Sequence, residues 1–134
     1  MVAITLAYLG DLHCEAVHGP SRTVLATDAP ADNGGKAESF SPTDLVATAL
    51  GTCVLTVMGL KAKAMGVDIA GMTATVEKEM AAAPRRIGKL ATKIHGPGGL
   101  SDEACKQLEQ AARTCPVHQS LSAEMERPIE FVWG

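Results

Sequence analysis

Two cysteines, Cys53 and Cys115, lie 62 positions apart in settings where thiol chemistry is possible. Cys53 sits in the middle of "LVATALGTCVLTVMGL" (45–60), a run without a single charge. On a helix its face-mates are Val46, Ala49, Leu50 and Val57. Apolar neighbours raise a thiol's pKa and leave it inert, so Cys53 reads either as a small core residue or as a protected redox nucleophile. Asp44 does not decide the matter. Each helical residue turns by about 100°, which puts Asp44 on the far side from the thiol. Cys115 stands in "RTCPVHQSL", and Pro116 suits the first position of a short helix running to Leu121. Cys115 would then be an N-cap, where free N–H groups and the helix dipole stabilise a thiolate. It also fits as the last member of an apolar stripe that starts at Ala104. Both readings stand.

Other reactive residue types are less suggestive. His118 follows Cys115 by three positions and His13 adjoins Cys14, but neither pair has the tight double spacing of a structural zinc site. No metal and no cofactor is expected. Cys14 and Cys105 read as structural, and Arg85-Arg86 after Pro84 as a solvated turn.

The elements that would position these thiols are legible from periodicity. Val2, Ile4, Leu6 and Tyr8 alternate with smaller residues, which reads as a strand over 2–8; segments 12–18 and 22–27 extend an antiparallel set. Residues 27–40, "TDAPADNGGKAESF", read as loop. Ser41, Pro42 and Asp44 open the long helix: a hydroxyl cap, a proline at the first position, and a carboxylate at the third. With Asp for Glu, this is close to a capping box. The helix should end near Met65-Gly66, buried on most sides because it is apolar almost all round. Strands follow at 71–81 and 87–95, with Thr73, Thr75, Glu77 and Glu79 on one face of the first and Met72, Ala74, Val76 and Met80 on the other. "GPGG" (96–99) breaks the chain, Ser101 caps a second helix, and "PIEFVW" (128–133) alternates as a closing strand. The order predicts an α+β fold with a mostly antiparallel sheet.

Composition bounds the function. The 134 residues suit one domain, 1–134, and 46% of them are hydrophobic, but aromatics make up only 3%. A core built from such small side chains is thin for a lone monomer and favours an intertwined oligomer. A net charge of −3 with no basic run gives nucleic-acid binding no electrostatic basis. The N-terminus shows no signal-peptide pattern, and the apolar run at 45–60 falls short of the roughly 18 residues a membrane span needs. A cytoplasmic protein is expected, where four widely spaced cysteines do not imply a disulfide framework.

Together, "SPTDLVATALGTC" and the distant "CPVHQSL" resemble the OsmC/Ohr family of osmotically induced and organic hydroperoxide resistance proteins. In that pattern a helix opens with a proline, a cysteine follows about eleven residues on, and a Cys-Pro motif comes some sixty residues later. The resemblance covers essentially the whole chain and implies an intertwined homodimer around a long buried central helix. It implies a thiol-dependent peroxidase for organic hydroperoxides, with Cys53 as the peroxidatic and Cys115 as the resolving cysteine. Their disulfide would be reduced by an external dithiol. Family peroxidases carry Glu after the helix-start proline, where this chain has Thr43. They also draw an arginine from the preceding loop, where this chain has Lys36; Arg22 is the nearest upstream arginine and the first candidate for that role. The alternative implied by these departures is a non-catalytic protein of the same fold holding a small apolar ligand.

Overall fold

The alternation in the first 28 residues resolves into three strands, β1 (Ile4–Gly10), β2 (His13–His18) and β3 (Val24–Asp28). They pair antiparallel in the order β1-β2-β3. Between β1 and β2, Asp11 (φ 51°) and Leu12 (φ 63°) both adopt left-handed backbone, as a tight turn matched to the strand twist requires. The structure, a computed structural model, describes all 134 residues as two compact units, Met1–Val46 and Ala47–Gly134. In the first unit every side chain of β1 from Ile4 to Leu9 is exposed, and the residues buried are polar: Thr27, Asp28 and Ser41.

A short 3-10 turn (Ala31–Asn33) and an irregular, bent stretch then lead to helix α1 (Pro42–Met65). Its start is a reciprocal capping box: the Asp44 N–H donates to Ser41 Oγ (3.1 Å) and the Ser41 N–H to Asp44 Oδ2 (2.9 Å). Two donors that a helix start leaves orphaned are thereby satisfied.

The second unit holds most of α1, then β4 (Thr73–Ala81), β5 (Arg86–Gly96), helix α2 (Asp102–Ala112), the short helix α3 (Pro116–Ser120) and β6 (Ile129–Trp133). Its sheet has the order β4-β5-β6, with β4 antiparallel and β6 parallel to β5. Parallel neighbours need a crossover, and α2 with α3 supplies it. Exposure alternates along β4, with Thr73, Thr75, Glu77 and Glu79 outermost. Leu50, Val54 and Met58 of α1, Leu90 and Ile94 of β5, and Leu108 of α2 are fully buried and form the core. A β-carbon at Gly51 would lie 2.9 Å from Val76 Cγ2, so glycine there lets α1 approach β4 closely.

The helix departs from expectation in one respect. Burial follows a single stripe (Ala47, Leu50, Gly51, Val54, Met58, Ala62) rather than most sides, and Leu60 is 64% exposed. The 24-residue α1 is also long and apolar enough to cross a membrane, which corrects the reading that its apolar run is too short. A packed core helix meets the same criterion, and the buried stripe is what such packing produces.

Candidate functional site

Cys53 lies midway along α1, half-buried beside the Leu50–Val54 stripe. Cys115 is fully buried within the crossover, at the junction of α2 and α3. It occupies both positions considered for it. The apolar stripe of α2 (Ala104, Leu108, Ala112) runs down to it, and it caps α3, with Pro116 next in line. Its Sγ accepts the backbone N–H of His118 at 3.4 Å.

The fold brings these two thiols close enough to interact, each side chain within reach of the other's proton. Burial pushes the Cys115 thiol up from its ordinary value, the hydrogen bond with Cys53 adds to this, and the His118 N–H only partly offsets them. The N-cap therefore does not make Cys115 a ready thiolate, because desolvation outweighs it. Cys115 keeps its proton and can donate it toward the sulfur of Cys53, the more exposed of the two. One reachable sulfur backed by one buried, protonated sulfur suits attack on an oxidant followed by disulfide closure.

The other sequence candidates lie elsewhere. Arg22 is exposed in the turn between β2 and β3, with left-handed backbone (φ 62°), and its N–H donates to the His18 carbonyl at 2.8 Å. Lys36 is exposed on the segment before α1, its ammonium 4.0 Å from Glu38 Oε1. Both belong to the first unit and the thiols to the second. Thr43 stands in the first turn of α1 with its hydroxyl 3.2 Å from Ser41 Oγ. Cys14 on β2, opposite Thr27, and Cys105 on α2 are both half-buried. Burial, then Glu109 and Asp102, push the Cys105 thiol up. A cavity of about 600 Å³ opens at the C-terminal end of α1, lined by Leu55, Gly59, Ala62, Val67, Ile69 and Met72 among others and by no cysteine.

Sequence reasoning missed Arg127. Its guanidinium donates through Nη1 to the His118 carbonyl and through Nε to the Met125 carbonyl at 3.3 Å. It thereby fastens α3, whose N-cap is Cys115, to the strand that follows. Burial, with the Arg127 charge second, holds the His118 imidazole below the ordinary histidine range, so it is neutral at physiological pH. The only sequence signal for this link is a cation shortly before β6, too common a feature to read.

An α+β fold of two three-stranded sheets joined through a long helix, with two cysteines in contact between that helix and a Cys-Pro turn, defines a class of two-thiol proteins. The profile of OsmC-like proteins matches residues 34–128. This chain therefore belongs to the OsmC-like family. In structure it is similar to a candidate osmotic stress induced and detoxification response protein from Psychrobacter arcticus, at 43% identity and a TM-score of 0.93, over 98% of this chain and 96% of that one. More distant likenesses, which speak for the fold alone, include the organic hydroperoxide resistance protein of Elizabethkingia anophelis (16% identity, TM-score 0.80, 100% and 96% covered). The OsmC-like protein of Mycoplasma pneumoniae stands similarly, at 17% identity and a TM-score of 0.83 over 99% and 96%. No curated protein matches the chain significantly in sequence.

Proposed function

We propose that this OsmC-like protein is a thiol peroxidase that reduces organic hydroperoxides. The observation that carries the reading is the contact between half-buried Cys53 and fully buried, protonated Cys115. The Cys53 thiolate attacks the terminal peroxide oxygen; the O–O bond breaks, and the leaving alkoxide takes a proton and departs as alcohol. Cys53 is then a sulfenic acid. Cys115 attacks that sulfur, the S–O bond breaks, water leaves, and the Cys53–Cys115 disulfide forms. An external dithiol takes over the disulfide by exchange and restores both thiols.

A thiol in an apolar setting needs a cation or donor to ionise, and α1 offers none beside Cys53. Arg22, from this chain or a second copy, is the first candidate, and Lys36 the second. A guanidinium keeps its charge where a lysine tends to lose it. The exposed β1 and the uncovered side of α1 support a homodimer that covers them, in the cytoplasm where thiols are kept reduced.

The test is consumption of cumene hydroperoxide by purified protein with several dithiols, beside Cys53→Ser. Turnover that vanishes in the variant supports the reading; a Cys53 inert to peroxide at every pH would replace it with a ligand-binding role. Arg22→Ala should stay folded and slow Cys53 oxidation at neutral pH, with much of the rate recovered in alkali. Unchanged pH profiles would remove Arg22 from the site.

A further inference from the structure

In the first unit, away from the cysteine pair in sequence and chemistry, three potential ligand atoms converge. They are His13 Nε2 at the start of β2, an Asp28 oxygen at the end of β3, and a Glu38 oxygen on the segment before α1, all within 4.8 Å of one another. His13 and Asp28 are directly opposite in the β2–β3 register. Asp28 is 1% exposed, a rare state for a carboxylate unless it is paired or ligating. Its two oxygens are treated differently. Oδ2 accepts the backbone N–H groups of Lys36 (3.2 Å) and Glu38 (3.1 Å). Oδ1 is buried, has no hydrogen-bond partner, and faces His13 Nε2 at 3.6 Å. Glu38 Oε2 lies 3.4 Å from the same nitrogen.

A histidine–carboxylate hydrogen bond does not account for this arrangement. Nε2 carries at most one proton and cannot serve two acceptors well, and both separations exceed the roughly 2.7–3.2 Å of an N–H···O bond. The separations do fit ligands that share an ion. With zinc bonds of about 2.0–2.1 Å, the edge of a tetrahedron is about 3.4 Å. From Glu38, 56% exposed, a small rotation would complete the triangle. The two N–H groups on Asp28 Oδ2 are the outer-shell support that orients a ligating carboxylate.

We propose that His13, Asp28 and Glu38 form a binding site for a divalent transition-metal ion. The imidazole and two carboxylates suit zinc or manganese rather than a soft, thiolate-seeking ion. The solvent-facing side, between Glu38 and the 30%-exposed His13, leaves a coordination position for water. Bound there, the ion ties the β2–β3 end to the segment that delivers Ser41 and the start of α1. The site is independent of the peroxidase reading.

The test titrates Zn²⁺ into full-length, fully reduced, chelator-stripped protein against a chromophoric competitor, and Co²⁺ for its spectrum. One Zn²⁺ per chain should bind, His13→Gln and Glu38→Gln should each weaken it by at least about tenfold, and Co²⁺ should give weak visible bands only. Absence of zinc uptake, loss in only one variant, or intense near-ultraviolet thiolate charge-transfer bands would overturn the site. Asp28→Asn should abolish binding where it folds; where it does not, the two more exposed variants decide.

Discussion

Because Cys53 and Cys115 are near enough in the reduced protein for one thiol to shift the other's proton, their disulfide should form with little rearrangement and should stabilise the fold. The two positions are 62 residues apart, so the crosslink closes a long loop in the unfolded chain. The chain-entropy relation for a loop of that length gives about 4 kcal/mol at 25 °C, before native-state strain is subtracted. With a urea dependence of about 2 kcal/mol per molar, in the middle of the range for a small protein, an unstrained bridge raises the unfolding midpoint by about 2 M. Even if strain halves the gain, a rise of about 1 M remains. The assay compares urea unfolding of reduced protein and of protein treated with one equivalent of organic hydroperoxide, at one fixed concentration, because association alters apparent stability. Cys53→Ser, unable to form the bridge, should show no such rise. Peptide mapping of the oxidised sample should find Cys53–Cys115 before any bridge to Cys14 or Cys105. An oxidised protein less stable than the reduced one would refute the reasoning, since the thiols would then have to move apart from their native packing to join. A dominant Cys14 or Cys105 crosslink would refute the pairing itself.

Three further outcomes are expected. Leu108→Ala, which hollows out the fully buried side chain anchoring α2, should cost about 2–5 kcal/mol in urea unfolding; a loss under about 1 kcal/mol would mean that α2 is not held by this contact. Ser101→Ala removes the hydroxyl that accepts the Ala104 N–H at 3.1 Å and should cost about 1 kcal/mol, while Ser101→Asp should retain most of the stability. Burial raises the folded Cys115 pKa above its unfolded value, so the stability tied to its proton is complete below the unfolded value and is lost as pH climbs through the folded one. Between pH 8 and 10.5 the reduced wild type should thus lose more stability than Cys115→Ala, and parallel losses would show that Cys115 does not titrate this way.

Most of the element order was legible because local signals and the final fold agree. Ser41, Pro42 and Asp44 announce the start of α1, and the structure closes that capping box with Asp in the Glu position. Gly66 and the glycine-rich 96–99 segment mark ends because they allow backbone that other residues resist, as the positive φ of Gly66 (72°) and Gly99 (84°) shows. Burial was less legible. An apolar run reports what a helix can bury, not what it meets, and α1 buries one stripe within its own chain. The parallel placement of β6 against β5 follows from where the crossover of α2 and α3 delivers the chain, and no residue in "PIEFVW" encodes it.

The same distinction applies to the two clusters that could do chemistry. The cysteines were found in sequence because a thiol in an apolar run and a Cys-Pro turn are each unusual, so two weak signals at a fixed spacing reinforce one another. Their division of labour was not found there. The N-cap position argued for an ionised Cys115, yet complete burial and the Cys53 hydrogen bond drive it the other way. What separates the two sulfurs is access: Cys53 is half-buried and Cys115 sealed, although they share an apolar neighbourhood. The histidine–carboxylate cluster left no trace at all. His13, Asp28 and Glu38 are ordinary residues in two strands and a loop, and only the β2–β3 register and the return of the chain at Glu38 bring them together. Periodicity predicts which face a residue occupies, whereas a ligand set depends on which segments meet. A chemical site assembled across strands is therefore read from a buried oxygen that lacks a hydrogen-bond partner, such as Asp28 Oδ1, which local sequence rules do not register.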